Sequence, residues 1–529
     1  MTELVRAKGG MVVAPHHLAA EAGCAVLREG GNAIEAMVAA AAAIMVAYPH
    51  MNALGGDNFW LISKGGAAPV GIDAAGPAAR LADGNYYLDA GHDAIPSRGP
   101  HSALTVAGAV SGIGEALKVS AAWGGRIPLE RLLDGATSLA RSGVAVPGTL
   151  HANAAAKRAE LEPVPGFAET FLPGGAPPEK GTIFHQPRLA STFEHLATAG
   201  LDDFYRGDLA RSMAVDLEAG GSPIRLDDLE AYNARRVDPL SVALNGARVY
   251  NMPPPTQGLA ALMILGIFER LGVSEAEGFD YVHGLVESAK QAFLVRDAHV
   301  TDPAYMSVDP EEFLKPEMLD RCANAVDRKT ALPWPHVAKP GDTVWLGALD
   351  KDGNAVSFIQ SVYWEFGSGF VLPESGVLWQ NRGTSFSLQE EAVNTLKPGR
   401  RPFHTIQPPL AIFDDGRVMP YGTMGGEGQP QTQSMIYTRT ATYGQDLAQA
   451  IAAPRWLLGR TWGAEAMNLR VESRLDPAVI DALRAAGHDV EVIGPMDEVT
   501  GHAGALVRHQ DGSMEGASDP RSDGAAIGC

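Results

Sequence analysis

The chain has 529 residues, with 42 lysines and arginines against 62 aspartates and glutamates, and a formal net charge of −20. This balance argues against a nucleic-acid partner, because phosphate contacts require clustered positive charge. A hydrophobic share of 46% with 20% charged residues lets a chain of this length bury a large core, which excludes disorder as its main state.

The first predicted elements are helices, since apolar residues recur at helical spacing over residues 16–29, 35–48, 128–141 and 279–299. Asn32 is the expected start of the second helix and Pro49 its stop, and its Ala-rich surface predicts close packing against a sheet. Turn-forming clusters then separate β-rich runs and predict two hairpins, residues 343–349 with 355–362 and residues 410–413 with 418–421. Together these elements predict a mixed α/β layered fold.

The cellular setting is predicted from what the sequence lacks. Three cysteines, Cys24, Cys322 and Cys529, are too few and too scattered for a disulfide framework or a cysteine-rich zinc site. The first residues do not form a basic segment followed by an apolar core and a cleavage site. The Ala-rich run at residues 36–48 is shorter than the roughly 20 residues that span a bilayer. We therefore expect a cytoplasmic protein with no membrane partner.

Residues 108–114, Gly-Ala-Val-Ser-Gly-Ile-Gly, resemble the glycine-rich turn that seats a dinucleotide phosphate in short-chain dehydrogenases. That family pairs the turn with Tyr-x-x-x-Lys, and none of the 12 tyrosines here has Lys four residues later. The segment therefore predicts tight strand-to-helix packing instead. His-Glu-x-x-His, Gly-x-Ser-x-Gly and Walker motifs are also absent from the sequence, so we expect neither a metal nor an organic cofactor.

A sharper signal is Gly341-Asp342-Thr343 at the head of a predicted strand, after a Pro-rich stretch. An N-terminal nucleophile hydrolase uses such an arrangement. Its Thr hydroxyl attacks the preceding carbonyl to cut the chain, and the freed α-amine then serves as general base for the same hydroxyl. The unperturbed pKa of an α-amine is about 7.7–8, which suits this role near neutral pH. Read alone, the motif is a weak signal and favours a structural Thr that begins a strand.

From Gly10 onward the sequence resembles the γ-glutamyltransferase family of N-terminal nucleophile hydrolases over nearly the whole chain. Seven segments carry the resemblance in family order, at residues 27–33, 55–57, 253–258, 350–356, 366–369, 425–426 and 517–521. The resemblance implies a four-layer αββα sandwich and self-cleavage between Asp342 and Thr343. It also implies a large (α) subunit of residues 1–342 and a small (β) subunit of residues 343–529 that form one interlocked domain.

The same resemblance assigns the catalytic groups. Thr343 is the nucleophile, and Ser361 stands where the family has a second Thr whose hydroxyl supports it. Gly425 and Gly426 match the family's oxyanion-hole glycines, whose backbone N–H groups can approach the tetrahedral oxygen because no Cβ intervenes. The expected protein partner is the chain's own cleaved subunit, as a heterodimer or a higher oligomer.

The residues that grip a γ-glutamyl group depart from the family pattern. Asp73, Ser385, Tyr363 and the pair His404-Thr405 stand where the family has Arg, Asp, Asn and two serines. An Arg-to-Asp reversal cannot hold a carboxylate, and loss of the Asp leaves a substrate ammonium without its counter-ion. Glutathione is therefore disfavoured as the substrate.

These replacements favour a smaller anionic amide. Arg382 offers a bidentate fork for a carboxylate and His404 offers a donor, although Arg382 could equally satisfy loop carbonyls. Residues 48–52, 381–383 and 401–405 are similar to the branch that contains oxamate amidohydrolase and cephalosporin-type acylases. Hydrolysis of oxamate to oxalate and ammonia is thus the leading expectation. γ-Glutamyl transfer, glutathione hydrolysis and glutaryl acylase activity are the enzymatic alternatives.

A non-enzymatic scaffold is a further alternative. It predicts a single uncut chain of 55.7 kDa on a denaturing gel. The presence of Thr343, Ser361 and the paired glycines argues against it, because a scaffold can lose all of them without penalty.

Overall fold

The computed structural model describes residues 3–334, 342–459 and 467–529, so Gly341 and most of the Pro-rich stretch lie outside the described residues. The α-helices are α1 (His17–Arg28), α2 (Ala33–Ala47), α3 (Gly84–Asp89), α4 (Ala109–Ala122), α5 (Leu129–Ser142), α6 (Gly148–Ala156), α7 (Arg158–Leu161), α8 (Phe167–Phe171), α9 (Pro187–Ala199), α10 (Asp203–Arg206), α11 (Asp208–Gly220), α12 (Leu226–Glu230), α13 (Gly258–Leu271), α14 (Phe279–His299), α15 (Pro316–Asn324), α16 (Gln429–Tyr437), α17 (Leu447–Ala452) and α18 (Pro477–Ala485). Short 3-10 turns occupy Pro100–Ser102, Pro173–Gly175, Pro303–Tyr305, Pro310–Leu314, Arg382–Ser385, Gly426–Gly428 and Glu498–Thr500, and a π-turn occupies Thr438–Thr442.

The strands are β1 (Val5–Ala7), β2 (Gly10–Ala14), β3 (Asp57–Ser63), β4 (Val70–Ala74), β5 (Val144–Ala145), β6 (Ile183–Phe184), β7 (Arg235–Val237), β8 (Leu240–Leu244), β9 (Ala247–Asn251), β10 (Asp342–Asp350), β11 (Ala355–Tyr363), β12 (Leu410–Phe413), β13 (Val418–Thr423), β14 (Trp456–Leu458), β15 (Leu469–Glu472), β16 (Val490–Ile493), β17 (Ala503–Arg508), β18 (Met514–Ser518) and β19 (Ala525–Gly528). Two seven-stranded antiparallel sheets dominate, in the orders β1-β18-β17-β13-β12-β9-β8 and β19-β2-β10-β11-β3-β4-β7. Smaller sheets join β14, β15 and β16, and β5 with β6.

The two large sheets contact each other, because β10 and β11 of one touch β13 of the other and β10 also touches β17. Helices α1 and α2 pack against strands β2, β10 and β11 of the second sheet, and α13 and α16 pack against strands β8, β9 and β13 of the first. The chain is thus an α/β protein, as the sequence predicts. Strand β10, which begins near Thr343, lies in the middle of its sheet between β2 and β11.

The Ala-rich helix α2 follows the prediction closely. Asn32 caps it, with Glu35 completing a capping box, and Tyr48 is its C-cap directly before Pro49. Every residue of α2 is buried, and Gln360 of β11 donates to the backbone oxygen of Ala41 at 3.1 Å. Small side chains therefore allow the close approach to the sheet that the sequence indicates. Among the helices of the described residues, none combines the length and apolarity needed to cross a membrane.

Both predicted hairpins are present. β10 pairs antiparallel with β11, and β12 pairs antiparallel with β13. In the first turn, Asp350 Oδ1 accepts the backbone N–H groups of Asp352 and Asn354, each at 3.0 Å. This local side-chain bonding explains why an Asp-rich cluster is a reliable turn signal.

The prediction for residues 108–114 is wrong in its geometry. Ser111–Gly114 lies inside helix α4, and the preceding residues 103–107 form no strand. The tight packing itself is present, since a Cβ on Gly112 would collide with the side chain of Asn58. Glycine here serves helix-to-strand contact rather than a turn.

Two of the three scattered cysteines are paired, contrary to expectation. Cys24 and Cys529 form a disulfide across 505 residues of sequence, with their Cα atoms 5.6 Å apart. Sequence separation hides this pair, because only the pairing of β19 with β2 brings the two cysteines together. Disulfides are rare in reducing compartments, so cysteine content no longer supports the expectation of a cytoplasmic protein.

Candidate active site

Thr343 lies at an irregular start of strand β10. Asp342 pairs with Tyr363 whereas Val344 pairs with Gln360, so β11 has one extra residue opposite Thr343. Tyr363 has a φ of +84°, in the left-handed region that non-glycine residues rarely adopt. Thr343 itself is fully buried. The Asp342–Thr343 peptide bond therefore lies beside a β-bulge with a strained neighbour, a feature that is concentrated at functional sites.

The predicted catalytic residues are brought together around Thr343. Gln429, at the start of α16, donates through Nε2 to Thr343 Oγ1 at 3.3 Å. It follows a tight turn in which Gly425 and Gly426 both have positive φ values, +117° and +51°. The Oγ atom of Ser361 accepts the backbone N–H of Tyr363 at 2.7 Å on the neighbouring strand. The Thr343 hydroxyl, the Ser361 hydroxyl on the neighbouring strand and the Gly-Gly turn that precedes Gln429 thus lie in one region of the structure.

Gln257 fixes the glycine turn to the segment that carries Thr405. Its Nε2 donates to the backbone oxygens of Gly426 at 2.8 Å and Thr405 at 2.6 Å. Its Oε1 accepts from Arg296 Nη1 at 3.0 Å, and Arg296 also pairs with Glu427 at 2.9 Å. A buried amide with both ends bonded is rigid, so the turn and the segment keep a fixed relative position.

Arg382 is a fully buried cation beside these residues. Its Nη1 donates to Thr405 Oγ1 at 3.2 Å, and its Cζ lies 3.8 Å from the ring centroid of Tyr363. Within the described part of the chain, Nε and Nη2 have no hydrogen-bond partner. Burial lowers the pKa of Arg382 to about 10. No loop carbonyl among the described residues accepts from Arg382, so the structural alternative lacks the contacts that it requires.

Ser385 is buried and lies in the same 3-10 turn as Arg382. This turn has four residues and begins directly after Asn381. Arg382 contacts Thr405 through the hydrogen bond and Tyr363 through the stacking described above. The predicted substrate-binding residues are therefore grouped around one guanidinium.

His404 does not fit its predicted role as a donor to substrate. Its Nε2 lies 2.9 Å from Asp57 Oδ2 and its Nδ1 lies 2.9 Å from the backbone oxygen of Pro402. Both ring nitrogens are thus engaged with protein oxygens in a fully buried position. Burial lowers the pKa of His404, and the nearby charge of Arg382 acts in the same direction. We assign His404 to positioning the segment that carries Thr405.

Asp57 is the anchor of this segment and gives a stability prediction. Besides His404, its carboxylate accepts the backbone N–H groups of Gly108 at 2.9 Å and Gly76 at 3.2 Å. In Asp57→Ala these buried donors lose their acceptor, so the free energy of unfolding should fall by about 2–4 kcal/mol. Urea titration measures the change, with the exposed Asp93→Ala as a control expected to stay within about 0.5 kcal/mol. An unchanged midpoint for Asp57→Ala would refute the anchoring role.

Asp73 is held by arginines of the protein. Its Oδ2 pairs with Arg401 and with Arg235 Nη2 at 3.1 Å, and Arg401 also pairs with Asp302 at 3.0 Å. A cavity of about 440 Å³ lies beside this ion pair, with Tyr232 in its lining. The two arginines are thus already paired with protein carboxylates, so they offer a substrate acid group no surplus positive charge.

One group of described residues has the composition of a metal site. His283, Glu287 and His488 place possible ligand atoms within 4.8 Å of one another. The two histidines are hydrogen-bonded at 2.9 Å, and Lys290 Nζ donates to Glu287 at 2.7 Å. The Lys290 ammonium already supplies the cation that Glu287 requires, and none of these residues belongs to the site around Thr343.

The fold and the site define an α/β protein with a buried strand-terminal Thr beside a Gly-Gly turn. Residues 19–529 match the family model described as Gamma-glutamyltranspeptidase, and the chain belongs to this family. The chain is 52% identical to the oxamate amidohydrolase proenzyme of Klebsiella pneumoniae and 40% identical to the glutathione hydrolase-like YwrD proenzyme of Bacillus subtilis, in each case over 98% of both chains. A crystal structure of cephalosporin acylase from Bacillus halodurans is similar with a TM-score of 0.91 and 33% identity, covering 100% of this chain and 97% of that one.

These findings confirm the family and branch predicted from the motifs, and they confirm an enzyme that acts on C–N bonds. Sequence reasoning assigned no role to Asp57, Gln257 or Gln429. The first two lie in segments that carry the resemblance, residues 55–57 and 253–258, which was the available signal. Asp57 bonds to His404 and Gln257 bonds to Gly426, in each case across more than 100 residues of sequence, where spacing gives no guidance.

Proposed function

We propose that this chain is a self-processing amidohydrolase that hydrolyses a small anionic amide, with oxamate as the preferred substrate. The observation that carries the proposal is the buried guanidinium of Arg382 beside the Thr343 region, whose Nε and Nη2 donate to none of the described residues. The 52% identity to a protein named oxamate amidohydrolase proenzyme supports the substrate class. The proposal includes a four-layer αββα sandwich, with a large subunit of residues 1–342 and a small subunit of residues 343–529.

Self-processing begins with attack of Thr343 Oγ1 on the carbonyl carbon of Asp342. The peptide C–N bond breaks as the ester forms, and the nitrogen takes up the hydroxyl proton to become a free α-amine. Water then hydrolyses the ester, which leaves a carboxylate on Asp342 and restores the hydroxyl of Thr343. The bulge beside this bond favours attack, because the carbonyl is not locked in a regular ladder.

Turnover uses the same hydroxyl with the new amine as its base. The α-amine accepts the hydroxyl proton while Oγ1 attacks the amide carbon of the substrate. The N–H groups of Gly425 and Gly426 stabilise the oxyanion, and the proton passes to the leaving nitrogen, which departs as ammonia. Water activated by the amine then cleaves the acyl ester and releases the dicarboxylate. Ser361 supports the nucleophile by a second hydroxyl on the adjacent strand.

Arg382 sets the substrate size in this proposal. In oxamate the carboxylate is bonded directly to the amide carbon, so one fork that holds the carboxylate also places the carbonyl over the nucleophile. Tyr363 and Thr405 hold the guanidinium plane, and Ser385 lies in the same turn. A γ-glutamyl substrate carries its carboxylate several bonds from the amide. In the region of Asp73 the arginines are already paired with this protein carboxylate, so they are not available to bind the carboxylate of the substrate.

The substrate prediction is tested by ammonia release from oxamate beside release of p-nitroaniline from γ-glutamyl-p-nitroanilide. We expect kcat/KM for oxamate to exceed that for the glutamyl compound by at least about 100-fold, which matches the loss of one buried charge pair. Acetamide, which lacks the carboxylate, is the matched control and should be equally poor. Rapid turnover of the glutamyl compound would contradict the proposal.

A further inference from the structure

We propose that the Cys24–Cys529 disulfide links the two subunits covalently once the chain has cleaved itself. The inference rests on the proposed self-cleavage. Cys24 precedes Thr343 in the sequence and Cys529 follows it. A bond between these two cysteines is an internal cross-link in the uncut chain and becomes an inter-subunit bond after cleavage.

The fold holds the two cysteines in place independently of the bond. Strand β19 pairs with β2 in register, and the backbone N–H of Cys529 donates to the oxygen of Gly10 at 2.9 Å. Cys24 is buried on α1, which packs against both β2 and β19. Their Cα separation of 5.6 Å is typical of disulfides. The two thiols of a reduced chain are thus already in position to react.

Formation of the bond is a two-electron oxidation, for which we name a small disulfide such as oxidised glutathione as the oxidant. The thiolate of the partly exposed Cys529 attacks one sulfur of the oxidant and releases one small thiol. Cys24 then attacks the mixed disulfide and releases the second small thiol. Cys322 is buried and its thiol pKa is raised by burial, so it does not compete.

The bond lies at the end of the sheet that is remote from Thr343. Strand β2 pairs with the end of β10, where Asp350 is opposite Gly10, and Thr343 is seven residues earlier on β10. Seven residues of strand span about 23 Å. Reduction should therefore leave kcat within about 2-fold.

The subunits remain associated without the bond. β2 of the large subunit pairs with β10 of the small one, and β3 of the large subunit pairs with β11. The disulfide adds to this interleaved sheet rather than replacing it. We expect its reduction to lower Tm by about 2–5 °C without separating the subunits under native conditions.

The test compares wild type, Cys529→Ser and the control Cys322→Ser after incubation with oxidised glutathione. Each sample is denatured with an alkylating agent and run with and without reductant. For wild type and Cys322→Ser, we expect one species at the mass of the whole chain without reductant and two species after reduction. Cys529→Ser should give two species in both lanes. A tryptic map should contain a peptide pair joined through Cys24 and Cys529.

The outcomes separate this inference from the proposed function. Two species without reductant in wild type, with both cysteines alkylated, would overturn the link while leaving self-cleavage intact. One species in both lanes would refute self-cleavage, and with it the inter-subunit nature of the bond. In that case the tryptic map still decides whether Cys24 and Cys529 are bonded.

Discussion

A Thr343→Ala variant is expected to remain a single uncut chain and to lose amidase activity by at least about 10⁴-fold. In the proposed mechanism the same hydroxyl cuts the chain and attacks the substrate, and the general base exists only after the cut. Both losses therefore follow from removal of the hydroxyl, and the γ-methyl group that is lost with it is tested separately by Thr343→Ser. A denaturing gel reports the cleavage, and ammonia release from oxamate reports the activity.

Thr343→Ser is the matched control, because it keeps the hydroxyl and removes only a methyl group. It should still cleave itself and retain measurable activity. The fold should tolerate both changes, since each only removes atoms from one side chain and adds neither charge nor bulk. Normal cleavage and turnover in Thr343→Ala would remove this residue from the mechanism.

An Arg382→Met variant is expected to lose kcat/KM for oxamate by about 10²–10³-fold, mainly through KM. Met fills a similar volume but supplies neither the charge nor the fork. The substrate carboxylate would then be buried without a partner. Arg382→Lys restores the charge without the bidentate geometry and should recover only part of the loss.

The same Arg382→Met variant should be more stable than the wild type. Burial lowers the pKa of Arg382 to about 10, so the folded state disfavours its charged form. Since the folded-state pKa lies below the unfolded one, this destabilisation is complete below about pH 10. It diminishes as the pH rises above about 10. At neutral pH, thermal unfolding should therefore show a higher Tm for the variant.

Arg439→Met is the control for this gain. Arg439 is also buried, but its Nε and Nη2 atoms pair with Glu277 at 2.6 and 2.9 Å. Its removal leaves a carboxylate without its partner and should lower stability. A loss of stability in both variants would mean that Arg382 holds the fold together, and the proposed substrate contact would lose its main support.

The sequence correctly predicted helices and hairpins that are determined by contacts between residues close together in the chain. Residues 279–299 form α14 because apolar side chains recur at helical spacing, and α2 begins at Asn32 because a capping box satisfies its first N–H groups. The hairpin at β10 and β11 follows from the Asp350 turn. Such contacts involve residues close in the chain, so spacing alone reveals them.

Long-range contacts account for what the sequence did not predict. His404 is engaged by Asp57, 347 residues earlier in the chain, and this contact removes it from the donor role that residue type alone suggested. The disulfide joins cysteines separated by 505 residues. The position of Thr343 was predicted through the family resemblance, whereas the unused donors of Arg382 became visible only in three dimensions.

Intact mass of the purified wild-type protein, together with the N-terminal sequence of any fragment after reduction, tests the central claim most directly. The account predicts two chains whose masses add up to the 55.7 kDa chain plus one water, with the smaller chain beginning Thr343-Val344-Trp345. A chain that stays uncut after long incubation, or a fragment with another first residue, would contradict it.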